Sequence, residues 1–123
     1  MKKSENYEVL GETLVLYLPE ELDHCSVDVI RKETEQFFLE RRIRNVVFSY
    51  ANTHFMDSSG IGLVMGRYRE VRYLNGNIYI VCVNPKVSRI LDISGLYRVA
   101  KKADTVEAAL AVIDKQQDKT NCG

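Results

Sequence analysis

Apolar and polar positions change period several times along the chain. Thr13-Leu14-Val15-Leu16-Tyr17-Leu18 is a β-rich run closed by Pro19, and Tyr7 to Leu10, before Gly11, is placed to pair with it as a hairpin. The period then lengthens. Val27, Ile30, Thr34, Phe37 and Phe38 recur at helical spacing with Arg31, Lys32, Glu33 and Glu35 between them, and Asp23 or Ser26 is available as the cap. Asn45 to Tyr50 reads as a central buried strand, ending in the polar turn Asn52-Thr53-His54. A second helix is predicted from near Ser58, with Ile61, Val64, Met65, Tyr68 and Val71 on one face and Gly66, Arg67 and Glu70 opposite. Leu63 falls on the polar side, so it is expected at the surface. Asn75-Gly76 ends this helix with Gly76 as the left-handed residue, and Asn77 to Val83 is the next buried strand. Asn84-Pro85 opens a short helix carrying Val87, Ile90, Leu91 and Ile93, which Gly95 stops. Tyr97 to Ala100 reads as a brief edge strand. Asp104-x-x-Glu107 resembles a capping box for a last helix through Val106, Ala109, Leu110 and Ile113, followed by a polar tail expected to be flexible. The prediction is one α/β domain over residues 1–115, a mixed sheet of four to five strands with about four helices, and a tail over 116–123.

Composition narrows the function classes. The 123 residues suffice for one self-supporting core, and 46% hydrophobic with 28% charged residues is the balance of a globular chain. Lysine plus arginine equals aspartate plus glutamate at 17 each, so no net field favours DNA or an anionic membrane. Arg41-Arg42-Arg44 and Arg67-Arg69-Arg72 are only local basic clusters, and no direct DNA binding is expected. Cys25, Cys82 and Cys122 are odd in number and widely spaced, without C-x-x-C or a histidine pair, which predicts neither a disulfide framework nor a metal site. No apolar run approaches membrane-spanning length and Met1–Glu5 opens no signal peptide, so the expected compartment is the cytoplasm.

The candidate chemistry concentrates in Phe55-Met56-Asp57-Ser58-Ser59-Gly60-Ile61-Gly62, a strand-turn-helix corner. One helix cap needs one side chain, yet Asp57, Ser58 and Ser59 supply three in succession, which leaves a hydroxyl without structural duty. As a phosphate cradle the octet lacks the third glycine of a dinucleotide fingerprint at position 65, and no G-x-x-x-x-G-K-[ST] occurs. As a nucleophile elbow it lacks the first glycine of G-x-S-x-G and would need His24 or His54 to converge with Asp23 or Asp57. As a phosphoacceptor it asks least, because a kinase brings its own base and metal.

Those residues also carry a family resemblance. The octet followed by Gly66-Arg67-Tyr68, the earlier Glu21-Leu22-Asp23-His24 and the later Leu91-Asp92-Ile93-Ser94-Gly95-Leu96 resemble the STAS-domain anti-sigma-factor antagonists of sporulation and stress response, in order and spacing from about Tyr7 to Ile113. The chain departs at Leu18-Pro19-Glu20-Glu21, where the family often has a glycine. The resemblance implies a non-enzymatic, cofactor-free switch. The unmodified protein binds an anti-sigma factor that is itself a serine kinase carrying ATP or ADP, which frees sigma; phosphorylation at Ser58 inactivates it, and a serine phosphatase reverses the mark. It implies an acceptor at Ser58 with Asp23 near it at the partner-facing end of the domain, and the docking surface is expected there, around Asp23, His24, Asp57, Ser59 and Gly60. The predicted helix wheel adds Leu63, Arg67 and Glu70 to that surface. The alternative is a ligand- or nucleotide-sensing STAS module that docks on a partner without being phosphorylated.

Overall fold

The computed structural model describes residues 6–40 and 42–122, with side chains to Gln116; the Met1–Glu5 segment and Arg41 of the first basic cluster lie outside the described residues. β1 (Tyr7–Leu10) and β2 (Thr13–Tyr17) form the expected antiparallel hairpin around Gly11, whose φ of +61° is the left-handed conformation that favours glycine. β4 (Asn45–Ser49), β6 (Ile78–Val81) and β7 (Lys101–Lys102) then add in parallel, giving the sheet order β1-β2-β4-β6-β7. The parallel steps are bridged by α1 (His24–Leu39), α2 (Ser58–Arg72) and α3 (Pro85–Ile93), and α4 (Val106–Cys122) follows the last strand.

Strand alternation sorts the core onto two faces. Leu14, Leu16, Val46, Phe48, Ile78 and Ile80 meet α1, α2 and α3, while Val15, Val47, Tyr79 and Val81 meet Ala109 and Ile113 of α4. Central β4 is buried along its whole length, as its unbroken apolar run requires. The sheet and its helices are as predicted; several boundaries differ. The left-handed residue after α2 is Asn75 (φ +57°), not Gly76, which is glycine because a Cβ there would run into the Arg44 carbonyl. Cys82, also left-handed at φ +58°, ends β6 earlier than expected and donates its amide to the Asp104 carbonyl. Residues 97–100 are not a strand: Leu96–Arg98 is a 3₁₀ turn, and the edge strand is Lys101–Lys102. Thr105 rather than Asp104 caps α4, its Oγ1 accepting from the Ala108 amide at 3.1 Å. The segment from Gln116, read above as a polar tail, is helical through Cys122.

The larger correction concerns the rotation of α2. Its buried residues are Gly60, Leu63, Val64, Arg67 and Val71, and Ile61, Met65 and Tyr68 are only partly covered. α2 is wedged between the sheet and α1, so its buried arc is broader than a single sheet-facing stripe and turns toward α1. Leu63 is 1% exposed and Arg67 6%, against the expectation that both face solvent. Arg67 ties the two helices together: its guanidinium donates to the Arg31 carbonyl (3.2 Å), Thr34 Oγ1 (3.1 Å) and Glu70 Oε1 (3.0 Å), and lies 4.2 Å from the Phe38 ring centroid. Burial pulls the pKa of this guanidinium below its ordinary value, with the Glu70 carboxylate acting against it.

Candidate functional site

A second, two-stranded sheet builds the site. β3 (Glu21–Leu22) and β5 (Phe55–Met56) pair in parallel with Leu22 opposite Met56, just past the ends of β2 and β4. Hydrogen bonds from the His54 and Phe55 amides to the Glu20 carbonyl (2.8 and 3.1 Å), and from the Asp57 amide to the Leu22 carbonyl (3.2 Å), lock this register. Each short strand is followed at once by an aspartate and a helix. Asp23 and Asp57 therefore occupy equivalent places with nearly the same backbone, φ/ψ of −112°/−176° and −102°/−173°. Neither strand was foreseen, because two residues are too few to show a period; the signal was the repeat Leu22-Asp23 and Met56-Asp57, an apolar residue and then a capping aspartate.

Asp23 caps α1 through a reciprocal box: its Oδ1 accepts the Ser26 amide at 3.0 Å, and the Ser26 hydroxyl accepts the Asp23 amide at 3.0 Å while donating to the Glu21 carbonyl at 2.9 Å. The Ser26 amide, foremost, holds the Asp23 carboxyl below the usual carboxylate range. Asp57 caps α2 more simply, its Oδ1 accepting the Ser59 amide at 2.8 Å. Ser58, the first residue of α2, is exposed, and among the described residues its hydroxyl makes no hydrogen bond. The sequence-level surplus of hydroxyls thus resolves: Asp57 is the cap, half-buried Ser59 supplies the capped amide, and Ser58 is free.

The expected surface residues separate into three groups. Asp23, His24, Asp57, Ser58 and Ser59 converge on the paired helix starts. Gly60, Leu63 and Arg67 do not face outward: a Cβ on Gly60 would stand 2.5 Å from Met56 Cγ and 3.0 Å from Leu22 Cδ2, so this glycine lets α2 press onto β3 and β5. Glu70 is exposed, about three turns along α2 from Ser58 and paired to Arg67. The outer stripe is Ser58, Gly62, Met65, Gly66 and Arg69, running at helical spacing with no residue fully buried; the wheel had Gly66 on the solvent side but Met65 on the buried one. A Cβ on Gly66 would touch nothing within 4 Å, so its own fold does not require glycine there, although glycine in a helix interior costs about 1 kcal/mol relative to alanine.

Beside the site, Asn6, Tyr17, Leu18, Pro19, Glu20, Asn52 and His54 line an open polar cleft of about 480 Å³. Among the described residues no helix is long and apolar enough to cross a membrane. Of the cysteines, Cys25 is exposed and Cys82 half-buried, both as free thiols.

Comparison with known proteins returns the same picture. The model of the STAS domain matches residues 5–109. The anti-sigma F factor antagonist of Paenibacillus polymyxa is 36% identical over 101 residues, 82% of this chain and 86% of that protein. Among solved structures, the unphosphorylated anti-sigma factor antagonist SpoIIAA aligns with a TM-score of 0.71 and 28% identity, covering 90% of this chain and 96% of that one. The phosphorylated form of the Bacillus cell fate determinant SpoIIAA aligns with a TM-score of 0.71 and 32% identity, covering 87% and 96%.

Proposed function

The chain belongs to the STAS-domain family, and from that premise we propose that it is an anti-sigma-factor antagonist switched by phosphorylation of Ser58. In the unmodified state it docks on an anti-sigma factor that is a serine kinase and so releases sigma. The relatives named above support the antagonist role. The observation that carries the switch is the exposed Ser58 hydroxyl, left free beside an aspartate that already caps the helix.

In the proposed reaction Ser58 Oγ attacks the γ-phosphorus of ATP held by the partner. The bond from that phosphorus to the oxygen bridging to the β-phosphate breaks, ADP leaves, and the hydroxyl proton passes to a base of the kinase. This chain contributes the acceptor and the docking surface, and no catalytic group. The surface is the outer stripe of α2 with Asp23, His24 and the rim residue Glu70; Gly62 and Gly66 leave it bare enough for a partner's backbone to approach closely. Leu63, Gly60 and Arg67 act behind that surface, seating the helix.

Physical magnitudes fit a switch that spares the fold. Phosphoserine adds about −1.5 to −2 charges, and a helix N-terminus favours a negative charge by about 0.3 to 1 kcal/mol. Across the interface, a unit pair of like charges about 5 Å apart at an effective dielectric near 20 repels by roughly 3 kcal/mol, and half of that already exceeds a tenfold loss in affinity. A serine phosphatase resets the switch, and the cytoplasm, with its ATP, is the compartment that suits the cycle.

Incubation with ATP and the cognate anti-sigma kinase, followed by intact mass measurement, should show one added phosphate. Ser58→Ala should abolish it and Ser59→Ala should retain it. Phosphate persisting in Ser58→Ala overturns the acceptor assignment, and nucleotide retained without covalent transfer favours a ligand-sensing module.

A further inference from the structure

Arg31 lies on the exposed side of α1, and its Nη2 reaches across to α2, 3.5 Å from the point a Cβ on Gly62 would occupy. Gly62 is one helical turn beyond Ser58, so the two residues share a flank, with Cβ positions about 5–6 Å apart. The guanidinium therefore stands within a rotamer change of any group attached to Ser58 Oγ. The backbone that carries it is anchored from behind, because buried Arg67 donates to the Arg31 main-chain carbonyl at 3.2 Å. The charge acts on Asp28 and Arg67 through space but has no contact partner. Among the described residues Arg31 forms no salt bridge, and the nearby Asp28 is paired with Lys32 at 3.0 Å.

We propose that Arg31 is the chain's own receptor for the phosphate on Ser58, with Gly62 holding the path between them open. This rests on the phosphorylation of Ser58 argued above. An arginine presents a planar fork of N–H donors matched to phosphate oxygens, so it offers charge and bidentate hydrogen bonds together. A phosphate drawn toward Arg31 lies over Gly62, on the stripe that a partner must approach. Modification then covers the docking surface as well as charging it. Gly62 acquires a reason of its own, since a larger side chain would stand between donor and acceptor.

The test is a ³¹P NMR titration of full-length protein carrying phosphoserine at position 58, installed by genetic encoding so that no kinase is involved. The second ionisation of phosphoserine lies near pH 6, and a cation in contact favours the dianion. The midpoint should be higher in Arg31→Gln than in the parent by roughly half a pH unit or more, with Arg31→Lys between them, and Gly62→Leu should raise it as well. Asp57 and Arg67 on α2, Asp23, His24, Asp28, Lys32 and Glu35 on α1, and Glu21 on β3 are other charged or titratable groups near Arg31 and the paired helix starts; all are common to the variants. The Arg31 side chain is exposed, so its variants should keep the parent's thermal midpoint. Equal ³¹P midpoints in parent and Arg31→Gln overturn the proposal and leave the kinase reading intact. A chain that no anti-sigma kinase phosphorylates overturns that reading without touching the ³¹P result.

Discussion

The two helix starts share one plan and part in their capping at the third residue after the aspartate. Each has a two-residue strand, an aspartate cap and a helix, set in register by the pairing of Leu22 with Met56. Three residues after the cap, α1 has Ser26 and α2 has Gly60. Ser26 closes a reciprocal box and spends its hydroxyl on the Asp23 amide and the Glu21 carbonyl. Gly60 offers no side chain and is pressed against Met56 and Leu22, and the Asp57 amide turns to the Leu22 carbonyl instead. The start of α1 is therefore self-contained. The start of α2 leans on the neighbouring strand, and the Ser58 hydroxyl stays outside the hydrogen bonds of the corner. The proposed acceptor sits where the local structure delegated its hydrogen bonding to the tertiary fold.

Making the two corners alike should break the difference. Gly60→Ser copies the residue that completes the α1 box, yet its Cβ would stand 2.5 Å from Met56 Cγ, so it should destabilise the protein by about 1–3 kcal/mol in urea unfolding. A stabilised variant would show that α2 has room for a box and that the close approach is not required. A smaller contrast comes from two alanines. Ser26→Ala should cost about 1 kcal/mol through loss of the hydroxyl's half of the box, while Ser58→Ala should stay within about 0.5 kcal/mol of the parent. Equal costs would mean that Ser58 has a structural duty.

The smallest expected effect is on pH dependence. The Asp23 carboxyl titrates below its unfolded value of about 3.9. Its stabilisation is thus fully present above that value and is lost as pH falls through the lower folded value. Asp23→Asn keeps an accepting oxygen without the titration, so the stability gap between parent and variant should narrow on acidification below about pH 4. A gap constant down to pH 2 would remove the carboxylate from the account of this cap.

Much of this was legible along the chain because periodicity is a local record of burial. β1, β2, β4 and β6 and the bodies of four helices follow from runs such as Leu14–Leu16 and Val46–Phe48, and from the spacing of Val27, Ile30, Thr34 and Phe37. The failures share a cause. Leu63 and Arg67 sit on the polar side of a wheel drawn for one packing partner, whereas α2 has two, and a wheel carries no information about the second. Gly66 entered that wheel as one polar-face residue, and only the empty space around it marks its glycine as unneeded by the fold.

By itself, the order of residues determined the layered α/β architecture, the strand-to-helix corner at Asp57 and the excess of hydroxyls there. Those features arise from backbone preference and hydrophobic spacing within a few residues of each other. Tertiary structure alone decided which hydroxyl stays free, which face of α2 meets solvent and which cation stands beside Gly62. Each of these depends on segments more than 25 residues apart, Leu22 with Met56 and Arg31 with Gly62, that only folding brings into contact.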